Sequence, residues 1–237
     1  MLDAHPDAAV ADEIDVLRYV AAGFRRDQIF HLLLKGSRRE AGKGRVTARR
    51  LGPYSVAVPG QWQGRHRTLR VIGESRAGPT TRRLGRDPEL LDRLSDRIGA
   101  VRPRFVHVVR NPLDPIAAMV LRSGRSLPAA IEDHAAQCRT LVRLRDRIAG
   151  EALLTVRYED LVSDPPATVR AACGFLGLPI DEEHIAACAG IVDPAVPRER
   201  SRVEWRGAHV EAVLRTIEET PFLDGYEVEL DATGSAR

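Results

Sequence analysis

The chain has 237 residues, 43% of them hydrophobic, with 36 basic and 33 acidic side chains and a formal net charge of +3. That size and apolar content predict one core and a single domain over 1–230, followed by a polar, disordered tail at 231–237. No run of eighteen apolar residues and no basic-then-apolar leader occurs, so a membrane span and secretion are not expected and the cytoplasm is the default compartment.

All but two of the basic residues, Lys35 and Lys43, are arginines. Their planar guanidinium forks match phosphate and sulfate oxygens and permit an anionic ligand. With four tyrosines, two tryptophans and no reader motif, a nucleic-acid partner is not expected. Cys138, Cys173 and Cys188 are odd in number and set among apolar neighbours, which predicts buried thiols and neither disulfides nor a metal site.

In chain order, Ile14, Leu17, Val20, Phe24, Ile29, Phe30 and Leu33 have roughly helical spacing broken near Gly23, which predicts two short helices over 14–34. Residues 35–52 are basic and poor in large apolar groups, and predict a mobile loop. Residues 54–58 and 69–72 read as strands joined by a turn containing proline and glycine. Asp87-Pro88-Glu89 is a helix start, with a capping carboxylate and a proline in the first turn, and that helix should reach Ile98.

Residues 105–109, Phe-Val-His-Val-Val, predict a strand buried on both faces that stops at Arg110-Asn111-Pro112. After Ser126-Leu127-Pro128 an apolar stripe of Ile131, Ala135, Cys138, Leu141, Val142, Leu144 and Ile148 predicts a long helix. Residues 153–157 read as another buried strand, and Asp164-Pro165 opens a helix through about Phe175. The alternation predicts an α/β fold with a mostly parallel sheet and helices on both faces.

Ligands of such sheets lie beyond the carboxyl ends of the strands. Arg110 stands at one such end, although a lone arginine there is more often simply solvated, and Asp114 can cap the next helix or hold an arginine. A second end carries Arg157-Tyr158-Glu159-Asp160-Leu161, then Asp164-Pro165-Pro166 and Phe175-Leu176-Gly177-Leu178. These motifs closely resemble the C-terminal half of the sulfotransferases that use 3'-phosphoadenosine-5'-phosphosulfate (PAPS). In that family the strand and Arg-Asn-Pro form the 3'-phosphate segment, which implies that Arg110 and Tyr158 bind the nucleotide. The family's serine eight residues on is replaced here by Ala118.

The N-terminal Leu2-Asp3-Ala4-His5-Pro6-Asp7, with Asp12-Glu13 beyond, resembles the segment after the phosphosulfate loop in the tyrosylprotein branch. That likeness implies Glu13 as catalytic base, or Asp12 if the register shifts by one; an effective base there should sit in a cleft that raises its pKa. Gly73-Glu74-Ser75 resembles a strand end that reads Gly-Asp-Lys in bacterial relatives; Ser75 takes the lysine's place, and Arg76 is the candidate transition-state cation. Arg198-Glu199-Arg200-Ser201-Arg202 and Trp205 resemble the last basic loop, which implies Arg200 and Arg202 on the nucleotide phosphates; a solvated arginine cluster is the competing explanation.

The resemblance runs from residue 1 to about 226 and implies a P-loop-like fold whose first strand and phosphosulfate loop are missing. Gly42-Lys43-Gly44 has no strand before it, and 73–81 lacks Walker spacing. The implied function is sulfuryl transfer from PAPS, without a metal, to a hydroxyl of a small molecule, glycan, lipid or peptide, with weak catalysis in the absence of that loop. The alternative is a non-catalytic remnant binding adenosine 3',5'-bisphosphate or a partner protein. A nucleotide-dependent kinase would need a Walker lysine, and the sequence has none.

Overall fold

A computed structural model describes residues 1–47, 54–194 and 199–228. Its elements follow in chain order as β1 (Ala8–Asp12), α1 (Val16–Ala21), α2 (Arg26–Gly42), β2 (Val46–Thr47), β3 (Tyr54–Ser55), β4 (Val71–Ser75), α3 (Gly78–Arg86) and α4 (Leu90–Ile98). Then come β5 (Phe105–Val109), α5 (Leu113–Ser123), α6 (Leu127–Arg145), β6 (Leu153–Arg157), α7 (Tyr158–Ser163), α8 (Pro165–Leu176), α9 (Glu182–Ala189) and α10 (Gly207–Glu218). The fold is α/β, with the strands paired as β1-β4, β2-β3 and β5-β6. Two compact units emerge, one made of Met1–Val106 with Asp160–Asp193 and the other of His107–Glu159 with Pro194–Arg237.

In the first unit β1 and β4 run parallel, from Ala8 opposite Val71 to Asp12 opposite Ser75. An alanine-rich segment has little strand propensity, and β1 owes its conformation to this pairing and to burial of Ala8, Ala9 and Ala11. Helix α2 packs so closely on β1 and the residues after it that a Cβ at Gly36 would lie 3.1 Å from Ala11 Cβ and 2.5 Å from Ile14 Cδ1, which is why a glycine stands mid-helix.

Asp3, 5% exposed, ties this region together. Its carboxylate accepts the Val10 amide (2.6 Å), the Ser37 hydroxyl (2.7 Å) and the Gly64 amide (3.1 Å), and it pairs with Arg45. The core alongside contains Ala4, Ala8, Val58, Val169, Cys173, Leu178, Ile185 and Cys188. Helices α8 and α9 begin as their sequences require, with Asp164 accepting the Ala167 amide (3.0 Å) and Asp181 the His184 amide (3.1 Å). His5 Nδ1 accepts the Asp7 amide at 3.0 Å, so its Nε2 carries the proton donated to Pro179 O, also at 3.0 Å.

Two expectations change in this unit. Helix α2 continues through Gly42, where a loop over 35–52 is predicted, because Gly36 and Ser37 anchor its middle on Ile14 and Asp3; residues 48–53 lie outside the described residues. Residues 54–58 and 69–72 do not pair with each other. Instead β3 pairs antiparallel with β2, and the amides of Arg70 and Val71 donate to Asp7 O, drawing β4 onto β1. Helix α3 was not anticipated; its Gly78-Pro79 start carries a proline in the first turn, a signal that supports a helix.

In the second unit Leu113, Ile116 and Ala117 of α5 meet Ala130 and Ile131 of α6 and Trp205, Val210 and Val213 near and within α10. Strand β5 is not buried on both faces as its composition predicts: Val109 is 4% exposed but Val108 is 56% exposed. All three cysteines are buried and free. Among the described residues no helix is long and apolar enough to cross a membrane.

His184 is 1% exposed and packs edge-on against the His5 ring, with centroids 5.0 Å apart. Burial, and then the neighbouring His5 and the chain's amino group, lower its pKa to about 4. The unfolded chain takes up this proton near pH ~6.5, so between there and the folded value it binds more protons than the native state and stability falls as pH falls. His107 and His134 act in the same direction, each lowered by burial to about 4. Urea midpoints should therefore drop from pH ~7.5 to ~5, and His184→Gln should flatten that dependence. An unchanged pH profile in the variant would remove His184 from the account.

Candidate functional site

The Arg110 turn at the end of β5 is built by residues far apart in sequence. Asn111 Oδ1 accepts the Leu113 amide at 3.1 Å, a local turn that starts α5 after Pro112, and Asn111 Nδ2 donates to Glu227 O at 3.1 Å. Glu159, just beyond β6, accepts the Asn111 amide on one carboxylate oxygen (3.0 Å) and the Tyr226 hydroxyl on the other (2.6 Å). Burial and then this carboxylate push the Tyr226 phenol's pKa up. Tyr158 places its ring under the Arg110 guanidinium, 4.9 Å from the centroid, a stacked cation that holds the side chain's direction.

Around Arg110 the charges form a network within the second unit. Arg110 Nε lies 3.2 Å from Asp114 Oδ2, and its Nη1 donates to Glu199 Oε2 at 3.3 Å. Arg122 donates to the other Glu199 oxygen. Arg200 reaches Asp114 Oδ1 through its Nε at 3.6 Å and its backbone amide at 3.4 Å, and its carbonyl accepts the Trp205 indole N–H at 2.9 Å. Asp114 and Glu199 are 1% and 6% exposed. Burial raises the Asp114 pKa, against the pull of Arg110 and Arg200.

The first unit brings Glu13 and Arg76 together. Glu13 and Asp15 both have left-handed backbone, with φ of 55° and 64°, a conformation that costs a non-glycine residue of the order of 1 kcal/mol and persists only when its surroundings impose it. They do: Glu74 Oε2 accepts the Asp15 amide at 2.8 Å and Oε1 the Val16 amide at 3.0 Å, and Glu13 N donates to Ser75 O at 3.1 Å. Arg83 pairs with both Asp15 oxygens, at 3.1 and 2.6 Å. Arg76 Nη1 donates to the Glu13 carbonyl at 3.0 Å and lies 3.3 Å from its carboxylate. Burial raises the Glu74 pKa against its two amide hydrogen bonds.

The profile of the sulfotransferase family matches residues 1–182, more than half of the sequence. The chain belongs to the sulfotransferase family. No curated protein matches it significantly. Solved structures similar to this chain include the sulfotransferase domain of the Synechococcus PCC 7002 olefin synthase, at 22% identity with a TM-score of 0.48 over 64% of this chain and 58% of that one. Another is the sulfotransferase domain of the curacin biosynthetic pathway, at 15% identity and a TM-score of 0.46, covering 64% and 62%. A sulfotransferase from Alicyclobacillus acidocaldarius is 20% identical, with a TM-score of 0.37, covering 64% and 66%. The chain thus spans roughly six-tenths of the length of these structures.

Of the residues singled out in the sequence, Arg110, Tyr158 and Arg200 come together in one unit, and Glu13 and Arg76 in the other. Glu13 is not in a cleft, since its side chain is 58% exposed. Arg202 is exposed on the same 3-10 turn as Arg200, and Asp12 ends β1 opposite Ser75. Sequence reasoning missed Arg122, Glu199 and Glu159 as partners of the Arg110 turn. The spacing of Arg122, twelve residues after Arg110 and one helical turn after Ala118, was a signal that it shares a face with that position.

Glu159→Ala removes acceptors from one amide and one buried hydroxyl. It should lower unfolding free energy by about 2–3 kcal/mol in urea titrations, while Glu159→Gln, which keeps one acceptor oxygen, should cost about half of that. Equal losses would show that the carboxylate's hydrogen bonds are not what holds the turn.

Proposed function

We propose that this chain transfers a sulfuryl group from PAPS to an acceptor hydroxyl, and that the Arg110 turn holds the donor's 3'-phosphate. The observation that carries this reading is the joining of the two family motifs through one carboxylate: Glu159 fixes the Asn111 amide while Tyr158 supports Arg110. The donor set suits a phosphate, because the buried Nε atoms of Arg122 and Arg200 lack a hydrogen-bond acceptor among the described residues. When bound, PAPS supplies a sulfuryl group whose bond to phosphate oxygen breaks as one to the acceptor oxygen forms.

Glu13 takes the acceptor's proton on its exposed carboxylate, which stands just beyond β1 on a turn whose left-handed Asp15 is held by Glu74 and Arg83. Arg76, paired with Glu13, supplies positive charge beside the base. Arg200 contributes to phosphate binding from the 3-10 turn Glu199–Arg202, with Arg202 exposed on it for the same purpose. The acceptor is a hydroxyl of a small molecule, glycan, lipid or peptide, and the chemistry requires no metal.

Calorimetry with adenosine 3',5'-bisphosphate tests the nucleotide reading: Arg110→Ala should weaken binding about 10- to 100-fold, the loss of a charge-assisted fork. Equal affinity in the variant would exclude Arg110 from the site. Glu13→Gln should keep nucleotide affinity and abolish transfer to hydroxyl acceptors. Turnover unchanged in that variant would assign the base elsewhere, and binding without turnover in the parent chain would favour the non-catalytic remnant.

A further inference from the structure

Glu199 is a buried carboxylate whose two oxygens are shared between two guanidinium groups, Arg110 on Oε2 and Arg122 on Oε1. A single acid spanning two arginines in this way occupies the position from which one tetrahedral anion would bridge them. Solvent reaches the cluster, because the side chains of Arg122, Arg110 and Arg200 are 35%, 22% and 13% exposed. Among the described residues Asp114 and Glu199 pair with Arg110, Arg122 and Arg200, and the buried Nε of Arg122 has no hydrogen-bond acceptor there. Two adjacent guanidinium groups and an unused donor favour an incoming dianion with three acceptor oxygens over a monoanion with two.

We propose that Arg110 and Arg122 form a fork for a phosphate monoester and that Glu199 is its resident anion, displaced when the phosphate arrives. This rests on the nucleotide reading above and adds to it a further binding residue, Arg122, and a competitor carried by the chain itself. The displacement is local. Trp205, buried in the core and donating to the Arg200 carbonyl, anchors the C-terminal side of the turn, so the Glu199 side chain can swing away while Arg200 stays near Asp114. The device sets affinity: the nucleotide binds with its intrinsic strength less the cost of breaking the Glu199 pairs, and raised salt, which screens the partly exposed Arg122 pair, reduces that cost.

Calorimetric titration of the full chain with adenosine 3',5'-bisphosphate, and with adenosine 5'-monophosphate as the probe lacking the 3'-phosphate, decides this. Glu199→Gln should bind the bisphosphate about tenfold more tightly with little change for the monophosphate, and Arg122→Gln should bind it about tenfold more weakly. Glu199→Asp, one methylene shorter and still charged, cannot span both arginines and should also tighten binding, which keeps the test open if the glutamine variant folds poorly. Unchanged or weakened affinity in both Glu199 variants overturns the displacement, and unchanged affinity in Arg122→Gln overturns the fork. If the parent chain binds the bisphosphate and Arg110→Ala weakens it while the Glu199 and Arg122 variants do not differ, the nucleotide reading stands and this proposal fails. If neither the parent nor the Glu199 variants bind, both fail.

Discussion

Glu159 presents one carboxylate oxygen to the Asn111 amide and the other to the Tyr226 hydroxyl, and what the second unit can offer a ligand depends on that pair of contacts. The amide belongs to the turn that ends β5, so its position sets where the Arg110 side chain departs. Tyr158 is the neighbour of Glu159 in sequence, so the residue that holds the turn also delivers the ring beneath the guanidinium. Tyr226 closes the arrangement from the C-terminal end of the chain, where Arg157 stacks on its ring at 4.1 Å. A hydrogen bond to a charged acceptor is worth more than a neutral one, and both partners of Glu159 would be costly to leave unsatisfied.

The same physical device recurs. Many guanidinium groups of this arginine-rich chain lie against acids, and several acids that are buried or half-buried hold particular turns in place. Asp3 gathers β1, α2 and the Gly64 turn; Asp7 holds Arg67 and Arg70 and with them the entry to β4; Glu74 holds the amides of Asp15 and Val16 and so supports the left-handed backbone of Asp15. Burying a carboxylate is costly unless its oxygens are all used, and each of these acids meets that condition with two or more donors. The arginines near Asp114 and Glu199 are partly neutralised in the same way by those two acids.

Glu13 and Arg110 therefore rest on different foundations. Glu13 stands exposed on a strained turn imposed by Glu74, Arg83 and Ser75, where strain is kept because three independent contacts enforce it. Arg110 stands on an unstrained turn whose residues, asparagine and proline, favour it locally.

Much was legible in the amino-acid order alone. Residues 105–109 and 153–157 are strands, Asp164-Pro165 begins a helix, the Asp87-Pro88-Glu89 start leads into α4, and the Arg110 and Tyr158-Glu159 motifs identify the family, because each of these signals is local and carries its own backbone preference. What the tertiary structure alone decided was partnership. The alanine-rich β1 became a strand only by pairing with β4, α2 extended past residue 34 only because Gly36 and Ser37 found Ile14 and Asp3, and Val108 stayed exposed on a strand whose composition implied two buried faces. The one acid that bridges Arg110 and Arg122 comes from position 199, with 88 and 76 residues intervening, and no periodicity or propensity encodes a contact over such a span. Side-chain chemistry states which groups can pair; only the folded chain brings a particular carboxylate within 3–4 Å of a particular guanidinium, and at that range charge selects its partner.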